Sequence, residues 1–556
     1  IQEGFRSLRE SSYYDNLYAA GTARAIGDWL LGINATRLFT TRFGKGGTVL
    51  SIGRVQTPTL AMVVQRQKEI MAFVVEEYWE LKTIYRDTEF TAVIDRLKTL
   101  EKAEKGVAYL QQYLFEITSF EIKEGKEGNP KLFDLTSLQV EANKKYGFSA
   151  DDTLKLVQNL YEKKLVTYPR VDTTYLSEDL HEKVPGILSQ MTPYAELIDP
   201  LLKAPIPKSK SVFDDKKVTD HHAIIPTGVY PSALPKDEKR VYDLIARRFI
   251  AVFYPECRVS NTTVLGKVGE IEFKATGKQI LDPGWRQIYA HEKKEEEDEK
   301  VMPVFEVGES GPHEPRIHHG KTSPPKYYTE ATLLRAMETA GKQVEDEEMR
   351  ELLKDNGIGR PSTRANIIET LYKRKYIEKK RKNIIATQTG IDLIDTIQNE
   401  LLKSAELTGQ WERKLRWIEK GEYDIEKFKE ELIQMVVELT KEVKTGVFRT
   451  ISATHSENEE PVQRNAEKKD RVDIHTLKCP KCGNGNLVKG KSAWGCRDFQ
   501  TCGFKIPFEV FGKKITERQV HDLLTKGKTN KLKGWKTDGT TEGRLVMDPT
   551  YNFLIE

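Results

Sequence analysis

Tyr168 and Arg170, two residues apart in Leu165-Val166-Thr167-Tyr168-Pro169-Arg170-Val171-Asp172, place a phenolic oxygen beside a guanidinium. The pair suits attack on a phosphodiester: the phenol is the nucleophile, and the cation grips the phosphate and neutralises developing charge. A phenol titrates at about 10, so a metal or an acid elsewhere must handle the proton and the leaving oxygen. The competing reading is a core tyrosine with a hydrogen-bonded hydroxyl. His221 and His222 precede an apolar-proline run. A neutral imidazole there can donate to a phosphate or steer a proton, whereas a lone histidine can equally be a packed core residue.

The element that must position Tyr168 is a helix. Ser149 with Asp152 makes an N-cap pattern, and Leu154, Leu156, Val157, Leu160 and Tyr161 then recur at helical spacing. Pro169 pushes its predecessor toward extended geometry, so Tyr168 is predicted on a turn or extended exit. In Ser51-Ile52-Gly53-Arg54-Val55-Gln56, Gly53 admits close backbone approach, while Ser51, Arg54 and Gln56 supply donors for phosphate and base edges. A helix is predicted beyond Thr57-Pro58, with a capped helix start and one solvated arginine as the alternative. Arg24, Arg37 and Arg42 read as phosphate clamps or as surface salt bridges. Gly357-Ile358-Gly359-Arg360-Pro361-Ser362-Thr363 reads as a tight turn into a helix that faces Ile367, Ile368 and Leu371 inward. That leaves Arg360 and Ser362 at an anion-binding helix start, and capping by Ser362 or Thr363 is compatible with it. Lys373-Arg374-Lys375 and Lys379-Lys380-Arg381-Lys382 are basic enough to follow a phosphate backbone.

A chain of 556 residues, 38% of them hydrophobic, holds several packed domains. Lys+Arg 88 against Asp+Glu 84 leaves only +4, so local clusters and not net charge must carry any argument for a polyanionic partner. The sequence has no long apolar run and no leader pattern, which predicts a soluble intracellular protein without a membrane partner. Cys479-x2-Cys482 and Cys496-x5-Cys502 predict one tetrahedral thiolate metal site, and Cys257 an ordinary thiol. Trp494, Phe499, Phe504, Phe508 and Trp535 lie among lysines, a pattern used to stack single-stranded bases, although some of these rings must form the module's core.

Residues 1–68 read as helical, and Trp79–Tyr85, Phe90–Ile94 and Glu116–Ile122 as strands. Helices return over residues 136–188 and strands over 258–274, so a helical segment interrupts a β region. Residues 320–445 read as helical again, the acidic run 295–299 as a solvated loop, and residues 456–471 as a polar linker.

Several of these segments together resemble the type IA DNA topoisomerases, the bacterial topoisomerase III branch most closely. Thr167-Tyr168-Pro169-Arg170 resembles the active-site tyrosine motif, and Leu50 to Pro58 the LSxGRVQ segment that contacts DNA. Thr219 to Thr227 resembles HxAIxPT, Pro324 to Ala331 resembles PPxxYTEA, and Gly357 to Thr363 resembles GIGRPST. The resemblance implies a multidomain α+β protein: a toroidal core of helical domains and a β arch, followed by a small zinc-ribbon-like C-terminal module. The expected parts are a helical DNA-binding part at 1–68, β arch at 69–130 and 236–318, the tyrosine-bearing helical domain at 131–235 and a second helical DNA-binding part at 319–450. A linker at 451–472 and a four-cysteine zinc- and DNA-binding module at 473–556 complete the division.

It further implies ATP-independent breakage, strand passage and rejoining of DNA through a 5′-phosphotyrosine, with Tyr168, Arg170 and His221 catalytic. The substrate is then single-stranded and negatively supercoiled DNA, relaxed or decatenated by a monomer in the cytoplasm, at the nucleoid, with a helicase partner by analogy. Zn2+ is expected on Cys479, Cys482, Cys496 and Cys502. Mg2+ belongs to the family's Toprim domain, whose glutamate and D-x-D motif are not found in this sequence. The chain is therefore expected to be the portion after Toprim, and the alternative is a catalytically incomplete fragment that only binds single-stranded DNA.

Overall fold

The computed structural model describes residues 5–343 apart from 46, 219, 231–232 and 291–299, then 357–445, 450–451 and 477–556 apart from 491 and 538–539. The acidic run 295–299 and the linker 456–471 lie outside the described residues. The chain divides into two compact units, Ile1–Thr454 and His455–Glu556.

In the first unit, helix α1 (Asp15–Phe43) buries Ala20, Ala23, Gly27, Leu31, Ala35, Phe39 and Phe43 along one stripe. Small residues let a neighbour approach closely: a Cβ on Gly27 would lie 2.9 Å from the Trp411 ring. Helix α2 (Gln56–Ala72) starts before Thr57-Pro58, not beyond them as the sequence suggested. Pro58 is tolerated because first-turn N–H groups have no intrahelical acceptor.

An antiparallel seven-stranded sheet follows, ordered β6-β3-β4-β5-β2-β1-β7. Its strands are β1 (Glu77–Tyr85), β2 (Thr88–Ala92), β3 (Phe115–Glu127), β4 (Cys257–Val268), β5 (Ile271–Asp282), β6 (Ser310–Gly311) and β7 (Glu314–Lys321). Alternation puts Leu81, Phe90, Phe115, Ile117, Val264 and Phe273 into one apolar cluster. The strands expected at 79–85, 90–94, 116–122 and 258–274 are all present, the last as the β4–β5 hairpin.

The helical interruption leaves and rejoins the sheet at one point, because Glu127 at the end of β3 is the register partner of Cys257 at the start of β4. Glu127 anchors that point by pairing with Lys278 and Arg286, each at 2.5 Å. The insertion contains α3 (Leu135–Tyr146), α4 (Ala150–Glu162) and α5 (Lys236–Ala251), packed around Phe133, Leu138, Val157, Leu160, Ile245 and Phe249. Ser149 caps α4 as expected, its side chain accepting from Asp152 N.

After β7 come α6 (Glu330–Glu338), α7 (Pro361–Lys373), α8 (Glu406–Lys420) and α9 (Ile425–Thr445). The all-helical expectation for 320–445 misses a hairpin, β8 (Ile377–Lys380) with β9 (Asn383–Ala386). Ile377, Ile384 and Ala386 turn inward by strand alternation, while Arg381 takes φ +58° in the two-residue turn. The basic cluster 379–382 thus sits on a β-turn.

Polar groups stitch the insertion to this last part. Glu330, only 4% exposed, accepts from Ala150 N at 2.9 Å in the first turn of α4. Ala331 N donates to Asn143 Oδ1 at 3.2 Å, and the fully buried Arg364 donates to Thr136 Oγ1 at 3.0 Å.

In the second unit, three antiparallel strands (Leu487–Lys489, Ala493–Cys496 and Lys505–Pro507) and helix Glu517–Lys526 share a core of Trp494, Phe504, Ile506, Val520, Leu523 and Trp535. Three of the rings considered for base stacking are therefore core residues. Phe499, at 70% exposed, is free to stack.

Because Glu330 is buried and satisfies an α4 amide, Glu330→Ala should lower unfolding free energy by about 1–3 kcal/mol. Denaturant titration of the chain checks this, and an unchanged midpoint would remove the carboxylate from the account of the seam.

Candidate active site and nucleic-acid contacts

Helix α4 stops at Glu162, and Lys164 at φ +60° reverses the chain. Leu165 to Thr167 then runs extended beside residues 223–227. Thr167 N donates to Ile225 O at 2.9 Å, and Thr227 N donates to Leu165 O at 3.1 Å. The Thr167 hydroxyl accepts from Ile225 N at 3.0 Å and donates to Ala223 O at 3.2 Å. On its other side the 223–227 segment pairs through Ile224 N to Phe133 O at 2.8 Å. Residues from distant parts of the insertion thus hold the tyrosine loop and the histidine segment edge to edge.

This pairing brings Tyr168 against His221, with ring centroids 4.6 Å apart. Tyr161 meets the Tyr168 ring edge-on, with centroids 5.5 Å apart. Tyr168 is half-buried, and among the described residues its hydroxyl has no hydrogen-bond partner. Tyr194 bonds Asp243, Tyr254 bonds Leu197 O and Tyr376 bonds Val49 O, whereas Tyr242 and Tyr372 bury hydroxyls without a partner. Tyr168 packs its ring against the insertion's core, as a core tyrosine does, but lacks the hydrogen-bonded hydroxyl of that reading. Arg170 is exposed and pairs with no carboxylate among the described residues. His222 instead turns Nδ1 onto Ala223 O at 2.8 Å, and its burial lowers its pKa.

The Ser51–Gln56 segment is pinned from several sides. Ser51 N donates to Tyr376 Oη at 2.6 Å, Ile52 N to Thr36 Oγ1 at 3.0 Å, and Gly53 N to Thr57 Oγ1 at 3.0 Å. Gln56 lies near enough to Ser51 for their side chains to approach to 3.3 Å. Arg54 is buried, with Nε 2.9 Å from Asp28 Oδ1 and Nη1 3.4 Å from Glu412 Oε1. Arg24 grips the same Glu412 in a two-pronged pair at 2.5 Å. The structure therefore places both arginines in one ion-pair network: Arg24 makes a salt bridge, one of its two readings from the sequence, and Arg54 is not the solvated arginine of its alternative reading. Arg37 is exposed without an ion pair among the described residues, and Arg42 is half-buried in the last turn of α1.

The Gly357–Thr363 turn packs on that segment, since a Cβ at Gly359 (φ +72°) would lie 3.0 Å from Val55 Cγ1. Gly357 at φ +56° leaves no room for a side chain, a Cβ there falling 2.1 Å from Met337 O. Arg360 caps α7 through its backbone conformation and is exposed. Neither Ser362 nor Thr363 supplies a side-chain cap; Thr363 Oγ1 instead donates to Arg360 O at 3.0 Å. Ser362 lies in the first turn of α7 and is half-buried. The sequence reading passed over Arg364 and Glu330. Their only signal is a charge at a position where the helical period requires burial.

In the second unit the four cysteine sulfurs lie within 4.8 Å of one another. Cys479 and Cys502 approach to 3.5 Å and Cys482 and Cys496 to 3.6 Å. A tetrahedral metal with bonds of about 2.3 Å needs sulfurs about 3.8 Å apart, so the donor set fits a metal such as zinc. Backbone amides of Gly485 and Asn484 aimed at Cys482 lower its pKa and favour the thiolate that ligation needs.

The sequence pattern of the family described as DNA topoisomerase matches residues 12–430. The chain belongs to the type IA DNA topoisomerases. A second pattern, the C-terminal repeat of topoisomerase, matches residues 501–552. The chain is 37% identical over 531 residues to DNA topoisomerase 3 of Bacillus thuringiensis (strain Al Hakam), a match covering 91% of this chain and 69% of that protein. It is 36% identical over 537 residues to DNA topoisomerase 3 of Bacillus subtilis (strain 168), covering 90% and 69%. Full-length topoisomerase I from Thermotoga maritima superposes with a TM-score of 0.57 at 25% identity, over 93% of this chain and 80% of that one. These matches agree with the mixed α/β core and the C-terminal cysteine module described above. No helix among the described residues is long and apolar enough to cross a membrane.

Among the described residues of this topoisomerase chain, magnesium finds no ligand set of that quality. Among the described residues the cysteine cluster is the group of three or more potential ligands that converges, and no carboxylate cluster lies beside Tyr168. For the cysteines the expectation is one metal ion per chain by native mass spectrometry. Cys496→Ser should lose that ion and destabilise residues 477–556; full metal content in the variant would exclude Cys496 as a ligand.

Proposed function

We propose that the chain carries the strand-breaking tyrosine of a topoisomerase III-type enzyme, acting on single-stranded segments of negatively supercoiled or catenated DNA. The observation that supports this most directly is the unpartnered Tyr168 hydroxyl, held against His221 and two residues from the exposed Arg170. In the proposed step, Tyr168 Oη attacks the phosphorus, the bond to the 3′ oxygen breaks, and a 5′-phosphotyrosyl ester forms. The phenol gives up its proton and the leaving 3′ oxygen gains one. Arg170 holds the phosphate oxygens, and His221 is placed to donate to them or to pass the proton. One phosphodiester replaces another, so the bond energy is kept for resealing and no ATP is consumed. Exposed Arg37 and Arg360, with half-buried Ser362 and the Ser51–Gln56 segment, serve as contacts along the strand, and the Cys479, Cys482, Cys496 and Cys502 site holds zinc. Mg2+, held by acids outside these residues, completes the proposal, as do a monomeric state, a helicase partner and a place at the nucleoid in the cytoplasm.

The absence of a carboxylate cluster beside Tyr168 among the described residues favours a second reading, in which this chain alone binds single-stranded DNA without cleaving it. The readings separate when an oligonucleotide is incubated with the chain, with and without a Toprim domain supplied in trans, and covalent adducts are resolved by denaturing electrophoresis. The expected result is an adduct only when Toprim is present. Tyr168→Phe should abolish that adduct while changing single-strand affinity by no more than a few fold. An adduct that persists in the variant, or that maps to another tyrosine, would overturn the assignment.

A further inference from the structure

A second phenol in the insertion lies among cations. Tyr175 Oη accepts from Lys217 Nζ at 3.1 Å, and the same ammonium lies 4.4 Å from the ring centroid. Lys131 Nζ approaches from another element, 5.6 Å from the centroid. Asp214, 3.5 Å from Lys217 Nζ, answers one of these charges. Lys131 has no carboxylate partner among the described residues. Like charges gathered on one neutral hydroxyl repel, and an anion between them would relieve that cost.

The cluster is built, not incidental. Thr173, 6% exposed, donates through Oγ1 to Lys217 O at 2.6 Å and accepts from Tyr175 N at 3.2 Å, so one buried hydroxyl fixes both backbones. Lys131 is fixed through its carbonyl, which accepts from Arg248 Nη1 at 3.1 Å. Tyr175 O accepts from Ala223 N at 2.9 Å, which joins the cluster to the segment that carries His221. The hydrogen bond from Lys217 holds the Tyr175 phenol below its ordinary pKa, as expected where positive potential is left over.

We propose that Tyr175, Lys217 and Lys131 form a phosphodiester-binding subsite for the DNA segment attached to Tyr168, on the 3′ side of the scissile phosphate. The ammonium groups and the phenolic O–H supply donors, a set suited to non-bridging phosphate oxygens and indifferent to base identity. The assignment of side rests on the proposed 5′-phosphotyrosyl chemistry: the segment joined to Tyr168 runs away in the 3′ direction. The subsite lies on the same inserted body as Tyr168, so it keeps hold of that segment wherever the body moves.

Two measurements on the 556-residue chain test this separately. First, binding of a fluorescent single-stranded oligonucleotide is followed against salt for the wild type and Lys131→Gln/Lys217→Gln. Affinity at low salt should fall on the order of tenfold, and the slope of log K against log salt should become shallower by about 0.7 for one lost phosphate contact. An unchanged affinity and slope in the folded variant overturns the subsite, whatever happens at Tyr168. Second, single methylphosphonates are placed along an oligonucleotide whose cleavage position has been mapped with Toprim supplied. One neutral linkage 3′ of the cleaved phosphate should weaken wild-type binding and leave the double variant unaffected. A sensitive linkage on the 5′ side overturns the side assignment, and identical scans overturn the subsite. Failure of Tyr168 to form an adduct would strike the proposed reaction while leaving the salt-slope result intact.

Discussion

The exchange of hydrogen bonds between Thr167 and the Ala223–Ile225 segment is the constraint on which the reactive end depends. One residue uses its amide and both roles of its hydroxyl to hold a chain more than fifty positions away. Such bonds contribute about 0.5–1.5 kcal/mol each when made, and more is lost when a buried partner is orphaned. Their larger consequence is geometric. Thr167 immediately precedes Tyr168, and Ala223 follows the histidine pair, so register at this pairing sets the contact between Tyr168 and His221. A slip of one residue would send alternate side chains to the opposite face and separate the rings. Pro169, unable to donate, ends the pairing and turns the chain so that Arg170 emerges into solvent.

The inserted body meets the rest of its unit through apolar residues, Val140 and Ala150 sharing a cluster with Leu334 and Ile368, and through buried polar groups beside them. Arg364 has its pKa lowered by burial, against which Glu338 and Asp134 act, and Asp134 is itself pushed up by burial while capping α3 through Ser137. Well-packed apolar residues at such a seam are often as stable or more so. The polar part of the seam differs in what happens when it opens, because those groups can be hydrated where Val140 and Ala150 would expose hydrocarbon. Together with the single point where the chain leaves and rejoins the sheet, at Glu127 and Cys257, this makes the tyrosine-bearing body separable from its neighbours. Strand passage requires a break that can be held apart, and this arrangement is consistent with it.

Period and punctuation carried most of the fold in the sequence. Alternation at Trp79–Tyr85 and the Ser149 cap before Leu154, Val157 and Leu160 each reappear where they were expected. The β8–β9 hairpin escaped because four consecutive cations hide the inward alternation of Ile377 and Ile384, and because the turn uses Arg381 at positive φ in place of the usual glycine or asparagine. Proximity was illegible by any local rule. Nothing near Tyr168 announces that His221 will pack against it, and the family resemblance alone suggested the pair. Arg364 and Glu330 went unseen for a related reason: a charge in an apolar period reads as noise until its buried partner is known.

The arginines show the same division in electrostatic terms. Arg24 and Arg54 are answered by Asp28 and Glu412, and Arg54 also lies over the Trp411 ring at 5.0 Å. That group is neutral overall, and Arg54 keeps little surface with which to meet a phosphate. Its role in the structure is to fix the start of α2 against α1 and α8, so that Ser51, Gly53 and Gln56 present a rigid edge. Arg37, Arg170 and Arg360 differ, being exposed and without carboxylate partners among the described residues. A polyanion gains most from cations that are not already neutralised, since only these release counterions when a phosphate arrives. With a formal charge of only +4 on the chain, the unanswered charges stand at particular places, on the Tyr168 loop, at the α7 turn and along α1, and these are the positions the proposed DNA contacts use.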